Sequence, residues 1–382
     1  MIRDCFICSS KIESNVNIWN IPNIKGKRDI GFGYCELCKL VIQTPTIIPE
    51  EMFYYYENTA TYINPGREGK PEIRKIDDVK RQLDFLQNII DPSNISSAFQ
   101  VGCSDGYTLS QVKSLGIDYI NGIDPSINSN KLAKDLYNIE TEIGVFENFN
   151  TSKKYDLIIL THLLEHIYNP NDTLEKCNYI LNDNGHILIE VPLFENSTKF
   201  PIGMFTLEHL NYFTEESLQK LFRLNNLEIL AIEKLYSNNL YPVITMVLKR
   251  NNHTKNFESS FKGAFEEYTN REIKLWANIN QHIKDSTLLN ENIYIWGAGI
   301  HTTQLLAYTN ISKDLNIIGI LDSSETKHNK KIGDFTILKP TKDIIEDKII
   351  VISSYASEKE INNYIKNNFK YKKIILLYEG KD

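Results

Sequence analysis

The chain has 382 residues, 42% hydrophobic and 24% charged, a globular composition with length for two or three domains. Its net charge of −7 argues against a nucleic-acid partner, which needs a basic face. No run approaches the roughly 18 uncharged apolar residues of a membrane span, and the start, MIRDCFICSS, lacks the apolar core of a signal peptide. A cytoplasmic protein with no nucleic-acid or membrane partner is expected.

The first 45 residues carry four of the six cysteines, as Cys5-x2-Cys8 and Cys35-x2-Cys38. In a reducing compartment such pairs read as metal ligands rather than disulfides. Two knuckles with 26 residues between them suit a tetrahedral four-thiolate zinc site. A closed sulfur shell leaves no open position, so the role is structural. Iron is the minor alternative, and four ordinary cysteines the bland one.

A tyrosine-rich turn, MFYYYENTATYINPG, precedes a helix over 76–90. From residue 97 strands and helices alternate: SAFQV, TLSQVKSLG, YINGID, NKLAKDLYN, YDLIILTHLL, DTLEKCNYILN and GHILIEVPL. That order predicts a doubly wound α/β sheet. An irregular stretch, a helix (EESLQKLFRLNN) and two strands follow. A polar connector leads to a helix over FEEYTNREIKLWANINQHI. A second, smaller α/β unit opens at NIYIWGAG.

FQVGCSDGYTL places Gly102 and Gly106 around a strand-to-helix turn, where glycine lets backbone approach a ligand. The next strand ends in Asp124, a carboxylate suited to ribose hydroxyls. Dinucleotides and S-adenosylmethionine both use this arrangement. Here Ser104 stands at the second glycine of a dinucleotide loop, and Asp105 adds negative charge. That charge repels a pyrophosphate and suits the cationic, phosphate-free S-adenosylmethionine.

Two Glu–His pairs carry possible acid–base chemistry. The first, Glu165-His166, lies in HLLEHIYNP (162–170), after a buried strand. Its H-x-x-E-H letters match an inverted zinc-peptidase signature, which requires a helix; the Asn-Pro that follows argues for a turn. The second, Glu208-His209, lies in MFTLEHLNYF (204–213), on a segment expected to overhang the crevice, with Pro192 and Pro201 keeping it out of the sheet. His209 is the candidate base, Glu208 the group that holds its tautomer, and a buried structural pair the alternative. In the last unit Gly297 and Gly299 are followed by Thr302 where a dinucleotide fingerprint has glycine, and His301 and Lys327 are candidate anion contacts.

The chain resembles the three-domain methyltransferases that modify nucleotide-linked sugars. CELCKLVIQ (35–43) looks like that family's second knuckle, VGCSDGYTL (101–109) its cofactor loop, GIDPS (122–126) its ribose-binding strand end, EHLNYF (208–213) its catalytic Glu–His segment, and IWGAG (295–299) the start of its last domain. The resemblance implies a zinc-binding domain over 1–50, a class I S-adenosylmethionine domain over 51–250, a connector helix over 251–288 and a Rossmann-like domain over 289–382 that closes over a nucleotide sugar. It implies cofactor contacts at Gly102, Ser104, Asp105, Gly106, Asp124 and His162. Departures are Gln100 for an acid, Thr206-Leu207 for Tyr-His, and YSNNLYPVITM (236–246) for H-G-G-S-L-R, which helps define the carbon-methylating members. The resemblance therefore implies methyl transfer, speaks less for transfer to carbon, and leaves the methylated atom, carbon, oxygen or nitrogen, open. Transfer to another small molecule, a zinc-ribbon rRNA methyltransferase and a non-enzymatic cofactor-binding scaffold are the rivals.

Overall fold

The computed structural model describes residues 1–14, 16–18, 30–48, 50–52, 73–195, 203–236, 241–251, 264–288 and 291–378. Pro201, most of the tyrosine-rich turn and most of the polar connector lie outside these residues. Strands are numbered along the chain, and they form three sheets.

The small N-terminal sheet pairs β1 (Val16–Ile18), β2 (Ile30–Cys35) and β3 (Leu40–Gln43) in antiparallel order. Its fourth strand comes from far along the chain. This is β9 (Asn211–Tyr212), with Val41 opposite Tyr212 and Ile42 opposite Asn211. Residues 1–50 therefore do not complete their own sheet; the Glu–His segment does.

The central sheet contains β4 (Ser97–Val101), β5 (Tyr119–Asp124), β6 (Glu142–Ile143), β7 (Tyr155–Thr161), β8 (Leu181–Pro192), β10 (Leu227–Leu235) and β11 (Val243–Arg250). Its order is β10-β11-β8-β7-β4-β5-β6, with β11 antiparallel to both neighbours. Helices α1 (Ile73–Gln87), α2 (Tyr107–Ser114), α3 (Ile127–Tyr137), α4 (Pro170–Ile180) and α5 (Glu215–Leu224) accompany it. Leu157 through Leu160 are all fully buried. A continuous apolar run, rather than an alternating one, is what a strand covered on both faces needs. The chain reverses direction across the sheet between β4 and β7, which opens a crevice at their C-terminal ends.

Pro192 was expected to hold the chain out of the sheet. Instead it occupies the last rung of β8, opposite Val243, where a missing N–H costs little.

The third sheet, β14-β15-β13-β12-β16-β17, is built from β12 (Ile293–Trp296), β13 (Ile317–Leu321), β14 (Lys331–Ile332), β15 (Phe335–Leu338), β16 (Ile349–Ile352) and β17 (Lys373–Leu376). The long α6 (Ala264–Asp285) precedes it, and α7 (Ile300–Tyr308) follows its first strand. One aromatic cluster joins the units: Phe32, Phe205, Tyr212 and Tyr268 share a core, with Phe32 and Phe205 stacked at 4.4 Å. The backbone before the Glu–His segment is gripped from the C-terminal side. Gly203 N–H donates to Glu272 (2.9 Å), Met204 N–H to the Tyr268 hydroxyl (2.8 Å), and Tyr308 donates to the Phe205 carbonyl.

Candidate active site

The loop after β4 uses three left-handed residues in alternation: Gly102 (φ 71°), Ser104 (49°) and Gly106 (76°). A Cβ at Gly102 would lie 3.2 Å from Leu163, so this loop abuts the turn after β7 and closes the base of the crevice. A Cβ at Gly106 would lie 2.7 Å from Ala133 Cβ. Gly106 is thus required for α3 to approach, a reason distinct from the ligand contact expected of it.

Asp124, half-buried at the end of β5, organises the loop. Its two oxygens accept from the backbone of Ser104 (2.9 Å) and Ser126 (2.9 Å). Burial raises its pKa, and these N–H donors oppose that. Asp105 pairs with Lys75 and accepts from Tyr107 N–H (3.2 Å). The negative charge expected at Asp105 is thus matched by Lys75.

His162 takes a left-handed φ of 51° immediately after β7, a conformation that costs a non-glycine residue about 1 kcal/mol or more. Its Nδ1 faces Glu165 Oε1 at 3.3 Å and its Nε2 faces Glu190 Oε1 at 3.2 Å. Burial would lower the His162 pKa, but Tyr241 and the two carboxylates outweigh it and raise it well above the ordinary value. Glu190 is fully buried at the end of β8. It also accepts from Arg81 Nη2 (2.6 Å), Gln82 (2.7 Å) and Thr245 (2.5 Å). Burial pushes Glu190 up; His162 and Arg81 more than reverse that, bringing it to about 2. Both ring nitrogens of His162, expected as a cofactor contact, face carboxylates.

The two Glu–His pairs, read as rivals, form one cluster. The segment HLLEH is a turn, as Asn169 caps α4 just beyond it, and no helix carries the peptidase signature. Leu210 N–H and Asn211 N–H both donate to the Glu165 carbonyl (2.7 and 3.1 Å). The Asn211 side chain donates to the carbonyls of Leu164 (2.9 Å) and Ile167 (2.7 Å). This brings the rings of His166 and His209 to 4.8 Å, nearly perpendicular.

Ligand atoms of Glu165, His166 and His209 lie within 4.8 Å of one another. The carboxylate grouped with His209 is thus Glu165, which corrects the expected pairing with Glu208. The Glu208 carbonyl instead accepts from His166 Nδ1 (2.9 Å), which fixes the proton on that nitrogen. His209 Nδ1 is buried with no hydrogen-bond partner. Burial, then the neighbouring His166, lowers its pKa to about 3, against the pull of Glu165. Thr206, at the position where Tyr was expected, accepts from His209 N–H (3.0 Å) and tightens this turn.

The sulfurs of Cys5, Cys8, Cys35 and Cys38 also converge within 4.8 Å, with Cys8 and Cys35 at 3.5 Å. Four sulfurs at about 2.3 Å from one zinc lie roughly 3.8 Å apart, so this donor set fits. Hydrogen bonds from Cys38 and Cys5 lower the Cys35 pKa to about 2, and the bond to Cys35 raises Cys5 to about 12. One thiolate forms at its neighbours' expense; four together need a cation.

Residues 82–232 match the Methyltransf_23 family model, described as a methyltransferase domain. The match spans the glycine loop, Asp124, the buried Glu190 and both Glu–His pairs. Residues 82–232 are a methyltransferase domain. The central sheet has the class I S-adenosylmethionine-dependent architecture expected of it.

No curated protein matches the chain. Among solved structures it is similar to an S-adenosylmethionine-dependent methyltransferase from Clostridium acetobutylicum ATCC 824, at 15% identity over 50% of this chain and 96% of that one, TM-score 0.38. It is similar to the N-methyltransferase NodS from Bradyrhizobium japonicum WM9, at 14% identity over 46% and 97%, TM-score 0.37. A SAM-dependent methyltransferase from Leishmania major matches at 15% identity over 53% and 85%, TM-score 0.41. Likenesses this distant carry no statement about the substrate of the methyltransferase domain.

Arg81, Glu190 and Arg3 (described below) were not singled out from sequence. Glu190 left a signal: an acid inside the apolar strand GHILIEVPL demands a buried partner. Arg3 left none.

Proposed function

We propose that the protein transfers a methyl group from S-adenosylmethionine to a hydroxyl of a nucleotide-activated sugar or related glycan precursor, with His209 taking the proton. The observation that carries this is the buried, unpartnered Nδ1 of His209, beside Glu165 and His166. Bound S-adenosylmethionine supplies an electrophilic methyl on a positive sulfur. Asp124 retains lone pairs for ribose hydroxyls after serving two N–H groups, and Gly102 keeps the adjoining backbone close.

The low pKa of His209 selects among acceptors. A hydroxyl becomes strongly acidic only as its oxygen bonds to the methyl carbon, so a weak base in contact suffices at that moment. A carbon acid must lose its proton first and needs a stronger base. Glu165 stabilises the imidazolium that forms, and His166 limits it to a transient. The sugar-nucleotide part rests on the resemblance of EHLNYF and IWGAG and on the C-terminal α/β unit that grips residues 203–205. His301 and Lys327, expected as anion contacts there, are engaged internally: His301 with Ser353 (2.8 Å) and Tyr378, Lys327 with Asp322 (3.0 Å). The four-cysteine centre is assigned a structural zinc.

Calorimetry with S-adenosylmethionine on the wild-type chain and on Asp124→Ala tests the cofactor. A panel of nucleotide sugars, read by mass spectrometry for a gain of one methyl, tests the acceptor. No binding by the wild-type chain would overturn the reading; methylation at carbon would overturn the choice of hydroxyl.

A further inference from the structure

Arg3 is buried, at 4% exposure, two residues before the first zinc-type cysteine. Its four acceptors are neutral oxygens. Nη2 donates to the Tyr168 carbonyl and to Asn211 Oδ1 (2.9 Å); Nη1 donates to the carbonyls of Leu210 (3.0 Å) and Gln43 (3.5 Å). The guanidinium also lies over the Tyr168 ring, 4.6 Å from its centroid. Burial lowers its pKa to about 10, so it stays charged at neutral pH.

Apart from Gln43 of β3, these acceptors fall on two segments of separate origin. Tyr168 ends the turn that carries Glu165 and His166. Leu210 and Asn211 follow His209 directly. Asn211 ties the two together, since its amide donates into the turn at Leu164 and Ile167 while its oxygen receives Arg3. The arginine is anchored from its own side by its backbone N–H to Thr44 Oγ1 (2.9 Å). A planar fork of donors can hold several acceptors at fixed mutual distance, which an ammonium cannot.

We propose that Arg3 is a positioning residue for methyl transfer: it fixes the spacing of His166 and His209 by clamping the turn that bears His166 to the segment that leads from His209 into β9. The cysteine-bearing segment thereby acts on the acid–base cluster as well as on its own sheet. This rests on the reading of His209 as proton acceptor.

Arg3→Lys and Arg3→Met test it. Bound zinc and S-adenosylmethionine affinity are expected to match the wild type in both. The ring-nitrogen NMR signals of His166 and His209, assigned with His166→Asn and His209→Asn, should shift. kcat should fall on the order of 10²-fold with KM changed far less, and Lys should restore only part of it. Unmoved histidine signals in both variants would overturn the proposal, as would a kcat loss that tracks loss of zinc. If the wild-type chain methylates nothing, the proposed reaction fails, while the histidine signals still decide the positioning.

Discussion

His166 and His209 stand ring to ring at 4.8 Å although they belong to different Glu–His pairs. The carboxylate between them is Glu165 rather than Glu208. One histidine has its Nδ1 proton committed to a backbone carbonyl; the other has a buried Nδ1 with no partner. On the proposed reading, His166 shapes the field and His209 takes the proton.

His209→Asn should lower turnover by roughly 10²–10⁴-fold, the usual worth of a positioned base. S-adenosylmethionine affinity should change little, because Asp124 and the glycine loop lie on other elements. Steady-state kinetics with calorimetry measures both. A near-wild-type rate would move the proton to another group. His166→Asn is expected to act on folding and on the His209 environment more than on binding.

The free enzyme should show no acid limb near pH 6.5 in kcat/KM, since burial holds His209 near 3. A limb between 6 and 7 that vanishes in His209→Asn would contradict this. Stability should also respond. The unfolded chain protonates this histidine below 6.5, so His209 costs stability as pH falls from 6.5 toward 3. Glu190 acts the same way lower down: its folded pKa of about 2 gives stability that is complete above 4.5 and lost between 4.5 and 2. The depression is worth about 3 kcal/mol. Urea midpoints across pH 2–8 would record both.

The sheet, its glycine loop and the Asp124 strand end were legible because each is local. Apolar runs, glycines and a terminal acid lie within a few residues of the geometry they dictate. The joining of the two Glu–His pairs was not legible. It depends on Asn211 and Leu210 bonding to a turn far upstream, and nothing in MFTLEHLNYF marks that partner. Tyr212 makes the same point. Its role as a rung on Val41, with its hydroxyl donating to the Met204 carbonyl (2.9 Å), is set by the N-terminal sheet.

Arg81→Met should destabilise the chain by about 3 kcal/mol, the low end for breaking a buried ion pair. Gln82, Thr245 and His162 still serve Glu190, which keeps the loss from being larger. The Glu190 pKa should rise toward its unfolded value, so the loss of stability below pH 4.5 should be smaller than in wild type and finish at a higher pH. Denaturant unfolding at pH 7 and pH 4 gives both quantities. An unchanged midpoint at both would show that Arg81 contributes nothing net.

Metal removal should act beyond the first 45 residues. The protein is expected to hold one zinc per chain, measurable by elemental analysis, and Cys8→Ser to hold it weakly. Strand β9 pairs with β3, and Leu40, the first residue of β3, sits opposite Cys35. Loss of the thiolate centre therefore frees the sheet that anchors Asn211, and His209 lies two residues away. Chelation should lower the melting temperature and abolish turnover together. S-adenosylmethionine binding at the central sheet should outlast both, because the groups that order Asp124 are the backbone N–H of Ser104 and Ser126, not the cysteine unit. Loss of cofactor binding in step with zinc would show instead that the N-terminal sheet supports the whole methyltransferase domain.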